Sequence, residues 1–155
     1  MKKLRGLKLS VVLFLSFNHC FKTTEFITKK ELLARENGYY VFLKMNQELD
    51  KNHRQISASV ELKNISAEDT IRDAKLLIFA YDKNDLVLIP EGRKTPELLC
   101  IWKSKLPPAT SKYCNIAKTD YSNEIIYLKV HSLSFSVVDG SRYLINSSDI
   151  QLISE

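Results

Sequence analysis

The segment Ile56-Ser57-Ala58-Ser59-Val60-Glu61-Leu62-Lys63 alternates apolar and polar residues without a fault. Successive side chains of a strand point to opposite faces, so this spacing puts four apolar residues on one side and four polar ones on the other. Such a pattern describes an antiparallel strand with one face on a core and one in water. Ile56, Ala58, Val60 and Leu62 are expected inside, and Ser57, Ser59, Glu61 and Lys63 outside.

On the C-terminal side, residues 64–69 read as a polar turn. Residues 75–81 are apolar on both faces, which predicts a central strand. Asp82-Lys83-Asn84-Asp85 carries hairpin-turn chemistry, and residues 86–89 return. A loop over 90–96 leads to a strand at 98–103 with Leu98, Cys100 and Trp102 on one face. Pro107-Pro108 breaks the ladder because neither residue donates a hydrogen bond, and a strand over 113–117 follows. Between 125 and 138 the pattern changes phase. Ile126, Leu128 and Val130 share one parity, and Leu133, Phe135 and Val137 the other, which predicts a bulge near His131-Ser132. Asp139-Gly140-Ser141 is a turn, and short apolar runs at 143–145 and 150–153 close the chain as strands.

On the N-terminal side, residues 39–43 form a strand and residues 46–53 a polar connector. Thr28 and Glu31 fit a capping box and Gly38 a helix stop, which predicts a helix over 29–37. The result is about seven to nine strands, roughly 8–14 residues apart, after one helix, and it argues an antiparallel β-sandwich. Val60, Leu62, Leu76, Ile78 and Leu128 are its expected core.

The chain has 155 residues and a formal charge of +5. Four of the basic residues (Lys2, Lys3, Arg5 and Lys8) lie within residues 1–19, which hold no acid, leaving 19 basic against 18 acidic residues in the remainder. The charge is therefore no argument for nucleic acid. Behind these cations lies an apolar stretch over residues 9–17, too short for the ~20 residues that span a bilayer. A cationic start and a short apolar core describe a signal peptide over 1–20, followed by a linker and the helix over 21–38 and the sandwich over 39–155. Cys20 stands where bacterial lipoproteins carry their lipid. Phe17 suits the third position before that cysteine, whereas His19 replaces the usual small residue. Lipidation at Cys20, simple secretion and an uncleaved anchor all remain readings of this leader. Each implies export, to a cell envelope (periplasm or outer membrane) or to the medium.

Removing Cys20 leaves an even pair, Cys100 and Cys114, in an oxidising compartment. A disulfide is expected, the alternative being two buried thiols. A hairpin centred near Pro108 sets Lys103, not Cys100, opposite Cys114. The bridge therefore needs a wider or asymmetric loop, or strands on opposite sheets. His19, His53 and His131 are dispersed and no C-x-x-C is present, so no metal or other cofactor is expected.

Several of these segments together resemble the FxLYD-type domains of exported bacterial proteins and lipoproteins. They are Val60-Glu61-Leu62-Lys63-Asn64, the strand ending Phe79-Ala80-Tyr81-Asp82, Asn84 with Leu86-Val87, and Leu106-Pro107-Pro108-Ala109. The match spans about residues 56–135 and departs from the pattern at Asn84-Asp85 and Pro108-Ala109, where glycine is usual. The resemblance implies a mainly β fold, an antiparallel Ig-like β-sandwich of small size, and no catalysis. It also favours a disulfide between opposite sheets.

No G-x-S-x-G elbow, H-E-x-x-H pair or phosphate-binding glycine loop is present. His131, Glu31, Glu36 and the Arg93-Lys94 pair are expected in water, and Trp102 in the core beside Cys100. The expected function is that of a non-enzymatic exported protein, held to the membrane through its N-terminus if Cys20 is lipidated, with a structural role or a protein partner. The competing classes are a ligand carrier or enzyme with a site built from scattered residues, and a eukaryotic secreted binding module, which the sequons at Asn64 and Asn146 would suit. Replacing Cys20 by Ser should abolish labelling of the protein by a fatty-acid probe in growing cells. A wild-type chain that never labels is secreted or anchored another way.

Overall fold

Residues 27–50 and 54–155 are described by a computed structural model. The leader, Cys20, His19 and His53 lie outside them. Helix α1, Lys29–Glu36, starts where Thr28 accepts a hydrogen bond from the Glu31 amide at 3.2 Å. It ends at Gly38, whose φ of 76° suits a residue without Cβ. The amides of Gly38 and Tyr39 close the last turn on the carbonyls of Arg35 and Ala34.

The strands are β1 Val41–Leu49, β2 Gln55–Asn64, β3 Ile71–Tyr81, β4 Val87–Leu88, β5 Leu98–Trp102, β6 Ser111–Asp120, β7 Tyr127–Val137 and β8 Arg142–Asn146, followed by a helical turn, α2 Ser147–Ile150. They form two antiparallel sheets. One has three strands in the order β1-β2-β6. The other has five, ordered β4-β3-β7-β8, with β5 also paired to β3. Ile56, Ala58, Val60 and Leu62 face the core, as their alternation requires. Leu76, Ile78 and Leu128 face them from the other sheet, and all three are buried.

The phase slip in β7 is a bulge at His131: Leu77 pairs with Ser132 but Ile78 with Val130, so His131 has no partner on β3. A second irregularity leaves Arg72 unpaired between Ile71 and Asp73. Three expectations are corrected. Residues 46–49 are the second half of β1, where pairing with residues 56–59 overrides their polarity. Residues 150–153 form the end of α2 and a turn, and Ser154 then bridges Leu43 in parallel. In front of β7, Ile125 is buried and Ile126 exposed, because the regular strand begins only at Tyr127.

The chain passes between the sheets after β2 and again before β6, and Asn64 holds both crossings. Its amide donates to Thr110 and its carbonyl accepts from the Ala109 amide. Its Nδ2 donates to the carbonyls of Asp69 at 2.7 Å and Leu106 at 2.9 Å, and its Oδ1 accepts from the Ser66 amide at 3.0 Å. The side chain is fully buried and fully satisfied.

Ala109 and Asp85 sit in the left-handed region, at φ 56° and 60°. They belong to the pairs Asn84-Asp85 and Pro108-Ala109, where the resembled pattern usually has glycine. An L-residue there costs about 1–2 kcal/mol. Ala109→Gly should therefore raise stability by up to about 1 kcal/mol after the extra chain entropy of glycine. Asn64→Ala should lower it by about 1–3 kcal/mol, because the carbonyls of Asp69 and Leu106 each lose one of two donors and the Ser66 amide loses its acceptor. Urea titration of both variants checks the opposite signs.

Candidate functional site

The two cysteines expected to pair do so. Cys100 lies on the inner face of β5 in the five-stranded sheet, opposite Leu76. Cys114 lies on β6 in the other sheet, opposite Val60. Their Cα atoms are 5.8 Å apart and the disulfide joins the two layers. β5 and β6 are therefore not a hairpin. The segment between them crosses the sandwich, and Leu106 is tied to Ile71 on the way.

Trp102 follows Cys100 on the buried face, and its indole Nε1 has no acceptor among the described residues. Arg93 is exposed, and its guanidinium donates to the Glu97 carbonyl at 3.2 Å. Glu36 is exposed, but Glu31 is not. Its carboxylate accepts from Arg35 at 2.7 Å and from Lys63 at 3.2 Å, with both Glu31 and Lys63 buried. The outward positions at this end of β2 are covered by α1, which corrects the solvated reading of Glu31 and Lys63. Among the described residues no group of three or more His, Cys, Asp or Glu side chains is arranged to hold a metal.

The two outer faces of the sandwich differ. Beyond the part under α1, the three-stranded sheet turns the polar residues Ser57, Ser59, Asn46, Glu48 and Asn115 outward, with Tyr113, 65% exposed, beside them. The five-stranded sheet differs. Register places Val87, Tyr81 and Tyr127 in one outward row, Leu99, Leu77 and Ser132 in another, and Ile101, Lys75, Ser134 and Leu144 in a third. Leu99, Ile101 and Leu144 are 45, 50 and 63% exposed. Phe79 lies between the first two rows, and the exposed ring of His131 rests on it with centroids 4.9 Å apart. Tyr81 stacks on Tyr127 at 5.3 Å. The hydroxyl of Tyr127 donates to Asp85, and that bond pushes its pKa up to about 12.

At the far end of this face the rows become charged. Arg142 pairs with Ser136, and Ser136 with Asp73. A groove of about 440 Å³ opens there, lined by Arg72, Lys75, Lys103 and Arg142 together with Asp73 and Trp102. Asp73 accepts from the Ser136 hydroxyl at 2.7 Å and from Arg72 Nε at 2.9 Å. These bonds, Ser136 first, hold the Asp73 carboxyl below its usual range. A second groove, of about 570 Å³, lies between β1 and α2, where Gln47 accepts from the Leu128 amide at 2.7 Å.

The signal for the apolar outer face was present in residues 75–81, which are apolar on both sides, and in the unbroken apolar run of residues 98–102. The basic groove left no sequence signal. Its cations come from β3, β8 and the segment after β5.

No family model matches the chain, and no curated protein matches it. Solved structures similar to it include an X-ray structure of the structural genomics target SoR45. Its TM-score is 0.47 at 9% identity, over 70% of this chain and 82% of that one. The putative ApaA protein from Bordetella pertussis scores 0.43 at 11% identity, over 69% and 89% of the two chains. IrmA from Escherichia coli scores 0.40 at 8% identity, over 74% and 90%.

Closing a loop of ~15 residues is worth about 3 kcal/mol in the chain-entropy model. Cys100→Ser with Cys114→Ser should therefore lower stability by roughly that amount, read by thermal melting with and without reductant; wild type should fall to the same value only when reduced. For Asp73 the sign follows from its depressed pKa. Its stabilisation is present above the ordinary carboxylate range and lost as pH falls through the folded value. Asp73→Asn should flatten the acid side of the stability curve. An acid side as steep as that of wild type would show that other carboxylates set it.

Proposed function

We propose that this chain is an exported, non-enzymatic β-sandwich, tethered to the membrane through Cys20, that docks a protein partner on the outer face of its five-stranded sheet. The observation that carries this reading is the contrast between the two outer faces. An antiparallel sheet with one face on a core ordinarily turns polar residues to water. Here Leu99, Ile101, Leu144 and Val87 stand exposed beside half-buried Leu77, Phe79 and Tyr81. Contiguous apolar surface on a soluble domain marks interaction sites.

Two further features support the reading. The cationic start and short apolar core of residues 1–20 suit export. The disulfide between Cys100 and Cys114 suits an oxidising compartment. The resemblance to FxLYD-type domains points the same way, and the left-handed backbone at Asp85 and Ala109 keeps the turn geometry that glycine supplies in that pattern.

A photo-crosslinking amino acid placed in living cells at Leu99, Ile101 or Leu144 should give a discrete protein adduct. The same group at Ser57, Ser59 or Asn115, on the opposite outer face, should give none. Adducts from both faces alike, or from neither, would end the docking reading.

A further inference from the structure

We infer that the partner meets this face with an acidic segment, its carboxylates over Arg72, Lys75, Lys103 and Arg142 and its neighbouring apolar side chains over Leu99, Ile101 and Leu144. The inference rests on the docking reading above and adds the chemistry of the occupant.

The charge balance of the groove comes first. Four cations line it against one acid, Asp73. That carboxylate already accepts from Ser136 and Arg72, so it is occupied within the protein. Among the described residues no ion pair engages Lys75, Lys103 or Arg142, and all three are exposed. The groove is thus rich in donors and poor in acceptors, which suits an anionic group.

The apolar rows are continuous with it. Lys75 shares its cross-strand row with Ile101, Ser134 and Leu144, while Arg142 and Asp73 stand in the next row. Cations and aliphatic side chains therefore alternate within the spacing of neighbouring strands, ~4.8 Å. An acidic peptide segment carries both chemistries at that spacing. A small free anion would leave the aliphatic rows uncovered. An anionic membrane surface would not select one end of the sheet.

The test uses the full chain, isolated from membranes in neutral detergent, and a fluorescent synthetic peptide in which three glutamates precede alternating leucine and serine. Fluorescence anisotropy should show binding that weakens as salt is raised. A version with lysines for glutamates should bind at least tenfold more weakly. Lys75→Glu with Lys103→Glu should weaken the glutamate peptide at least tenfold while melting at the wild-type temperature. Arg142→Glu, on another strand, serves if that pair melts lower. Equal binding of both peptides would overturn the acidic segment and leave the docking reading standing. Displacement by inorganic phosphate at millimolar concentration would mean an isolated anion site. Displacement by added phosphatidylglycerol would mean a membrane surface. Either displacement overturns the inference. If neither peptide binds, the inference fails, and silent crosslinks at Leu99, Ile101 and Leu144 would then remove the docking reading as well.

Discussion

Two of the three passages of the chain from one sheet to the other are held by the buried side-chain amide of Asn64. The strand that ends at this residue belongs to the three-stranded sheet. The carbonyls it binds, those of Asp69 and Leu106, lie in the two segments that lead to and from the five-stranded sheet. A hydrogen bond of this kind is worth about 0.5–1.5 kcal/mol, and neither crossing can move without losing one here. The positions of Ile71 at the start of β3, Leu106, and the left-handed turn at Ala109 all follow from this one residue. The disulfide repeats the connection farther along the layers. Cys100 and Cys114 bridge the sheets through the core side of their strands, on the route that Asn64 and Leu106 define.

Much of this architecture was legible where a period was clean. The alternation from Ile56 to Lys63 located β2 and its inner face, and the change of phase between Val130 and Leu133 located the bulge at His131. The errors arose where a neighbour changes what polarity means. Lys63 and Glu31 each look like surface residues in their own segments, yet each supplies the other with a counter-charge under α1. Asn46 to Leu49 look like a connector, yet β2 offers them a full ladder. The final turn, α2, is four residues long and carries no helical period to read.

The outer face was half legible for a related reason. Residues 75–81 are apolar on both sides, and a strand of that kind is expected between two layers. The strand is central within its sheet, with β4 and β5 on one side and β7 on the other, but only one of its faces meets the second sheet. Sequence reports that Leu77, Phe79 and Tyr81 are apolar and is silent on what lies over them. The cations of the groove were less visible still. Arg72 stands at a ladder irregularity, Lys75 within β3, Lys103 just past β5 and Arg142 at the start of β8, so only the strand order brings them together.

The pairing of β1 with the last residues of the chain has a consequence for self-assembly. An unpaired strand at the border of a sheet is a template on which a second chain can grow. Here the amides of Leu43 and Met45 are taken by the carbonyls of Ile153 and Glu155, and the Leu43 carbonyl by the Glu155 amide. The border of the three-stranded sheet is thus capped along the apolar half of β1, where Val41, Phe42 and Leu43 would otherwise be the stickiest stretch. The uncapped half carries Asn46, Gln47 and Glu48, side chains that discourage stacking of copies edge to edge. Protection against fibre-like growth is therefore divided along a single strand, by backbone occupancy at one end and by polarity at the other.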